Sequence, residues 1–191
     1  MKKVFLSLLL VISFVSYSQT FTCEYDYNEK TDSTLIKKTP DYLIHESVFG
    51  TTSTFVFFSL VNSDETPYLS LQLLRKSKDF IKASCLNQAS RIFLQLANGK
   101  IVTLINSSEE VCSNLSYNSA EKDNISILNS YFLFSKDGYE DLKKYPVTLM
   151  RIKFTTETID YVLPKEIKSE NFKEAVYNPE EYFIRYLKCV E

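Results

Sequence analysis

Arg91-Ile92-Phe93-Leu94-Gln95-Leu96-Ala97-Asn98-Gly99-Lys100-Ile101-Val102-Thr103-Leu104-Ile105 is the stretch that decides the fold class. Two β-forming runs flank Asn98-Gly99, the dipeptide that best supplies two positive-φ positions of a tight type I′ turn. A two-residue loop sets the register: Leu96 faces Ile101, Leu94 faces Thr103 and Ile92 faces Ile105. Phe93 then lies across from Leu104 on the other face. Apolar residues on both faces predict a central strand pair covered from both sides.

The same strand language surrounds this hairpin. Residues 21–27 alternate Phe21, Cys23, Tyr25 and Tyr27 with Thr22, Glu24 and Asp26, the period of a half-buried strand. Residues 28–33 read as a polar turn. Residues 34–46 are extended, and Pro40 demotes that stretch to an edge strand or splits it. Gly50-Thr51-Thr52 turns the chain, residues 54–61 are strongly β-forming, and residues 62–65 end them. Leu69, Leu71 and Leu73 share one strand face. Residues 106–123 read as a polar loop, pinned by Cys112, and as the best place for a seam if the chain had two units. Residues 125–134 form another strand.

Ser135 predicts the cap of a short helix near 136–145, stopped by Pro146, with Tyr139 and Leu142 on one face. Residues 147–155 and 158–163 form a second hairpin around Thr156-Glu157. Phe172 and Val176 suggest a helical turn. Asn178-Pro179-Glu180-Glu181 is a helix start with an Asn cap, Pro in first position and acids at the positive end of the dipole. Phe183, Leu187 and Val190 line that helix, with Tyr186 beside them. Many strands followed by a helix, a hairpin and closing helices predict a mainly β or α+β antiparallel domain, a sandwich or curved sheet.

The first 18 residues read as an address. Lys2 and Lys3 precede an apolar run from residue 4 to 15, and Ser16 and Ser18 stand at −3 and −1 of a cleavage site between Ser18 and Gln19. The run is short of the ~20 residues of a membrane anchor. A lipoprotein reading would need Cys23 to be lipidated, but Thr22 precedes it and the apolar core ends well before. Cleavage removes two lysines and no acids, so the net charge of −2 becomes −4. That balance does not suit nucleic acid, whose affinity comes from cation–phosphate contacts. The mature part, 19–191, reads as one disulfide-stapled domain without a transmembrane anchor.

Four cysteines in an exported chain predict two disulfides, and three connectivities exist. The favoured pairs are Cys85–Cys112, bracketing a compact hairpin region, and Cys23–Cys189, tying the first strand to the last helix. A metal site would want a C-x-x-C pair, which the sequence lacks.

Catalytic sets are hard to assemble. His45 is the only histidine. His45-Glu46 is followed by Phe49 where a zinc-hydrolase helix needs its second histidine, and its strand context marks a structural or surface residue. Asp32-Ser33-Thr34 lacks the glycine of an aspartic-protease signature and reads as a turn. No phosphate-binding or dinucleotide glycine motif occurs among only three glycines. Glu109-Glu110, Glu140-Asp141 and Glu180-Glu181 are candidate carboxylate pairs, but acid–base work needs two carboxyls across a cleft, and solvated charge explains them. Asp64-Glu65 and Asp137 lack the spacing of a calcium loop. The 13 Tyr and 14 Phe would suffice for a surface stacking on sugars or peptides, although core packing accounts for them.

Tyr27-Asn28-Glu29 with Asp32 and a threonine-rich strand, Cys85 and Cys112 around residues 92–99, Arg151-Ile152 and a terminal Leu187-Lys188-Cys189 together resemble a diffuse group of uncharacterised secreted bacterial β-rich proteins. The resemblance spans nearly the whole mature chain. It implies export and the Cys85–Cys112 pair, and no activity or catalytic residue. The expectation is therefore an exported, non-catalytic binding or structural module of the bacterial envelope, periplasmic or extracellular, with no cofactor and no metal. Its partner would be a protein or a small molecule. The alternatives are a small secreted hydrolase inhibitor, a hydrophobic-ligand carrier and a carboxylate-based glycan hydrolase.

Overall fold

The computed structural model describes residues 22–31, 34–172 and 175–191. Its strands are β1 (Tyr27–Lys30), β2 (Leu35–Lys38), β3 (Tyr42–Phe49), β4 (Thr52–Ser63), β5 (Thr66–Ser77), β6 (Cys85–Leu86), β7 (Arg91–Leu96), β8 (Ile101–Asn106), β9 (Val111–Cys112), β10 (Asn114–Asn118) and β11 (Asp123–Phe134). After α1 (Tyr139–Leu142) come β12 (Val147–Lys153), β13 (Thr158–Val162), β14 (Ile167–Lys168) and β15 (Val176–Tyr177). A 3-10 turn (Pro179–Glu181), α2 (Tyr182–Tyr186) and a last 3-10 turn (Leu187–Val190) end the chain. The protein is mainly antiparallel β with a short C-terminal helix. One large sheet runs β1-β2-β4-β5-β11-β8-β7-β12-β13, with β3 also on β4 and β10 also on β11.

Pro40 has a clear consequence. β2 pairs with Val61, Asn62 and Ser63 of β4, and β3 pairs with residues 52–58, while β5 occupies the other edge along the full length. The proline thus splits one long edge strand in two, since its nitrogen cannot donate to a ladder.

The 91–105 hairpin departs from its expected register by one residue. Leu96 N–H bonds to Lys100 O and Gly99 N–H to Leu96 O, so the loop has three residues, with only Gly99 at positive φ (84°). This is a type I turn closed by a glycine bulge. Phe93 consequently faces Thr103, and Leu94 faces Val102. Ile92, Leu94, Leu96, Val102 and Leu104 then all point inward and are buried, whereas Ile101 is 65% exposed. The pair is covered on one face, not two. The tight turn with two positive-φ residues lies instead at Asp64 (49°) and Glu65 (66°), between the paired Ser63 and Thr66. Asp64 is held there by Leu35, whose N–H donates to the Asp64 carboxylate at 2.9 Å and whose carbonyl accepts from Asp64 N–H.

Several local readings are corrected. The first strand is β1, in the stretch read as a turn; residues 22–26 alternate in exposure and lie before it, with Asp26 N–H donating to Lys38 O of β2. The stretch 106–123 contains β9 and β10. β10 borrows its order from the edge of β11, and its exposure explains its polar composition. α1 begins only at Tyr139 because Gly138 sits at φ 102°, and the Ser135 hydroxyl donates to Asp137 O rather than capping the helix. Val176 belongs to β15, paired with β14, not to a helical turn. The Asn178 side chain does not cap the C-terminal turn; its amide donates to Lys165 O.

Inward side chains from strands on both sides of 106–123 join one core. Val56, Phe58 and Leu60 meet Leu69, Leu71 and Leu73, as well as Met150, Ile152 and Tyr161. Each fully buried Leu or Phe contributes roughly 1.5–3 kcal/mol. The two ends of the sheet approach each other at β3 and β13. A bulge between Leu43 and His45 turns His45 toward β13. Its ring meets Tyr161 edge-on at 5.0 Å. Phe183 packs on Phe58 and Phe134, and Asn62 donates to Val190 O at 2.6 Å, so the C-terminal segment is seated on the inner faces of β4 and β11. A smaller outer core forms where Ile167, Phe172 and Tyr177 cover Leu43, Phe55 and Phe57, with Phe172 edge-on to both phenylalanines.

Candidate functional site

The concavity best furnished with chemistry lies against the C-terminal helix. Thr22, Glu24, Pro40, Tyr42, Tyr182 and Tyr186 line about 270 Å³. Each wall has a local cause. Pro40 is the break between β2 and β3, and Tyr42 is the first residue after the chain resumes its ladder on β4. Tyr182 and Tyr186 are one helical turn apart on α2, the spacing that puts side chains on one face. Cys23 is bonded to Cys189, and Tyr25 donates to Cys189 O at 2.8 Å, which lays the 22–26 segment beside the helix.

The three tyrosines form a triangle. Ring centroids of Tyr42–Tyr182, Tyr42–Tyr186 and Tyr182–Tyr186 are each 5.2 Å apart, at interplanar angles of 42°, 55° and 37°. Tyr42 is further oriented by Asn178, whose backbone N–H donates to its hydroxyl at 2.6 Å, and by Tyr177, edge-on at 5.1 Å. Tyr182 is 1% exposed, and beside its hydroxyl lies the Thr39 hydroxyl, which accepts from Leu60 N–H and keeps its own proton to offer. Burial raises the pKa of all three phenols, most strongly Tyr182. At Tyr186 the Tyr42 phenol and the Glu24 carboxylate add to the rise, against Arg185. All three are therefore neutral at physiological pH.

Other sequence candidates are dispersed. Glu109 and Glu110 are exposed in a loop beside Asn87, Gln88 and Ala89. Glu140 pairs with Lys143 at 2.6 Å while Asp141 pairs with Lys100 at 3.0 Å, so the two carboxylates point to different partners. Glu181 is engaged by Arg185 at 2.6 Å. His45 is a seam residue of the sheet; burial lowers its pKa, partly offset by the Val162 carbonyl. Asp64 is consumed by its turn. No group of three or more His, Cys, Asp or Glu that could hold a metal occurs among the described residues. Ser18, Gln19, Asp32 and Ser33 lie outside the described residues. Cys85 is bonded to Cys112, joining β6 to β9. Near it, Arg75 donates to Ser84 Oγ at 2.9 Å and Ser84 to Glu157 at 3.3 Å, a polar tie between β5 and the turn of the second hairpin.

Tyr42, Tyr182 and Tyr186 carry no motif. The legible signal was the Tyr182/Tyr186 spacing behind the Asn178-Pro179 helix start; the contribution of Tyr42 depends on a contact across 140 residues of chain.

Fold and site together define a disulfide-stapled, mainly β domain with a tyrosine-walled pocket. Comparison with known protein families, with curated proteins and with solved structures gives no significant match. Two closed disulfides fit a non-cytoplasmic, oxidising compartment. No helix among the described residues is long and apolar enough to cross a membrane.

Proposed function

We propose that the protein is an exported, non-catalytic binding module that takes a small organic ligand in the tyrosine pocket. The observation that carries this reading is the concavity of about 270 Å³ whose wall Tyr42, Tyr182 and Tyr186 share. The cleavage site after Ser18 and the two disulfides support export to the periplasm or beyond.

The test is intact mass on protein recovered from its own exported fraction, denatured and then native. The denatured mass should correspond to a chain starting at Gln19 and lacking four thiol protons. The native mass should carry a small-molecule excess that Tyr186→Ala removes. A clean apo mass, combined with unperturbed Tyr42 and Tyr186 resonances against a small-molecule extract of the same fraction, would refute the reading.

A second reading, a protein partner, rests on the outer face of β7, β8, β12 and β13. Ile101 and Val162 are 65% and 68% exposed there, beside a groove lined by Phe93, Leu149 and Arg151. Ile101→Glu should abolish capture of such a partner while leaving the tyrosine pocket intact; equal capture by the variant would dismiss it.

A further inference from the structure

We infer that the tyrosine pocket selects a small organic cation of the quaternary-ammonium kind over neutral or anionic molecules of the same shape; this rests on reading that pocket as the ligand site. The ring geometry is the first argument. A sugar stacks on a flat aromatic face, but Tyr42, Tyr182 and Tyr186 are tilted to one another by 37–55° at equal centroid spacings of 5.2 Å. Tyr182 is buried behind the other two, so a guest in the concavity meets the half-buried Tyr42 and Tyr186 rings, tilted to each other by 55°, the arrangement that favours a diffuse positive charge. Neutral phenols keep that quadrupole intact.

Charge is the second argument. Glu24 is the one charged side chain lining the pocket, and its carboxylate is felt at the Tyr186 hydroxyl. Two neighbouring cations are matched by carboxylates, and Lys37 lies over the Tyr25 ring at 6.0 Å. Arg185 is held by two contacts to Glu181, at 3.0 and 2.6 Å, and Lys38 by Asp41 at 3.0 Å. The charge that the pocket wall itself presents is therefore negative, which repels an anion and attracts a cation. The volume of about 270 Å³ lies just under the ~300–1,000 Å³ of drug-sized sites, matching a small head group rather than an extended chain.

The experiment titrates the intact, disulfide-bonded protein with choline and, separately, with 3,3-dimethyl-1-butanol, its uncharged isostere, following the aromatic resonances of Tyr42 and Tyr186. Choline should bind about tenfold or more tightly than the isostere, the ratio that a partly desolvated cation–π contact supplies. Glu24→Gln, at an exposed position that does not threaten folding, should weaken choline several-fold and leave the isostere unchanged. Tyr186→Leu should weaken both. Equal binding of the two probes, or no effect of Glu24→Gln, overturns the cation inference and leaves the pocket reading standing. Absence of any shift with choline at tens of millimolar also overturns it, and the pocket reading is then decided by the native mass of the exported protein. A preference for a saccharide or a carboxylic acid in the same pocket overturns the inference as well.

Discussion

His45 offers the sharpest test of how the sheet is closed. It sits at the bulge of β3, with its ring against Tyr161, where the two ends of the sheet come together. Burial lowers its pKa below 6.5 in the folded state, so the unfolded chain binds the extra proton first. Its contribution to stability is complete above pH 6.5 and is lost as pH falls toward the folded pKa. The upper limit is set by one proton: at pH 5.5 the loss is at most about 1.4 kcal/mol, with a limiting slope of about 1.4 kcal/mol per pH unit. Partial exposure of the ring screens the effect, so the loss stays below that limit. With a urea m-value near 2 kcal/mol/M, the midpoint should move down, by at most about 0.7 M, between pH 7.5 and 5.5. The chain has no other histidine, and ordinary carboxylates titrate below this window. His45→Gln is polar and cannot titrate, so its midpoint should be flat over the same range. A wild type that is flat or gains stability on acidification, or a variant that keeps the slope, would refute the reasoning.

Two further substitutions follow from the packing. A Cβ at Gly138 would lie 2.8 Å from Val102 Cγ2 with φ at +102°, so Gly138→Ala should cost about 2–4 kcal/mol, from backbone strain and overpacking together. Combining it with Val102→Ala should recover about 1–2 kcal/mol relative to the sum of the single variants, read by chemical denaturation; strict additivity would place the clash elsewhere. Replacing Cys23 and Cys189 by Ser opens a loop of 166 residues and should cost about 5 kcal/mol on the loop-entropy account, against about 3.5 for the 27-residue loop of Cys85 and Cys112. The same change frees the segment carrying Thr22 and Glu24, so ligand affinity should fall several-fold although all three tyrosines remain; unchanged affinity would remove that segment from the site.

Much of the fold was legible because it depends on local chemistry. Alternation marked Leu69, Leu71 and Leu73 as one inward face, Pro40 marked a broken edge strand, and Asn178-Pro179 marked the start of the last helical segment. These signals come from the period of the strand, the missing N–H of proline and the needs of a helix end, all settled within a few residues. Composition alone excluded sites that need two imidazoles, since there is one histidine.

The remainder lay in energies that no short window contains. Asn98-Gly99 suits a type I′ turn, yet the loop takes three residues. That register sends Ile92, Leu94 and Leu96 inward together with Val102 and Leu104, and burying five apolar side chains outweighs a local turn preference. Asp64-Glu65 carries the tight turn because β4 and β5 pair along twelve residues and Leu35 grips the Asp64 carboxylate and N–H. β10 is ordered only by the edge of β11. The tyrosine pocket joins residues from opposite ends of the chain, brought together by Cys23–Cys189 and by the seating of Phe183 on Phe58 and Phe134. Sequence by itself determined the long strands and the last helical segment, because propensity and periodicity are local; tertiary structure decided the short edge strands, register, closure and the site, because those are set by pairing and burial shared between distant segments.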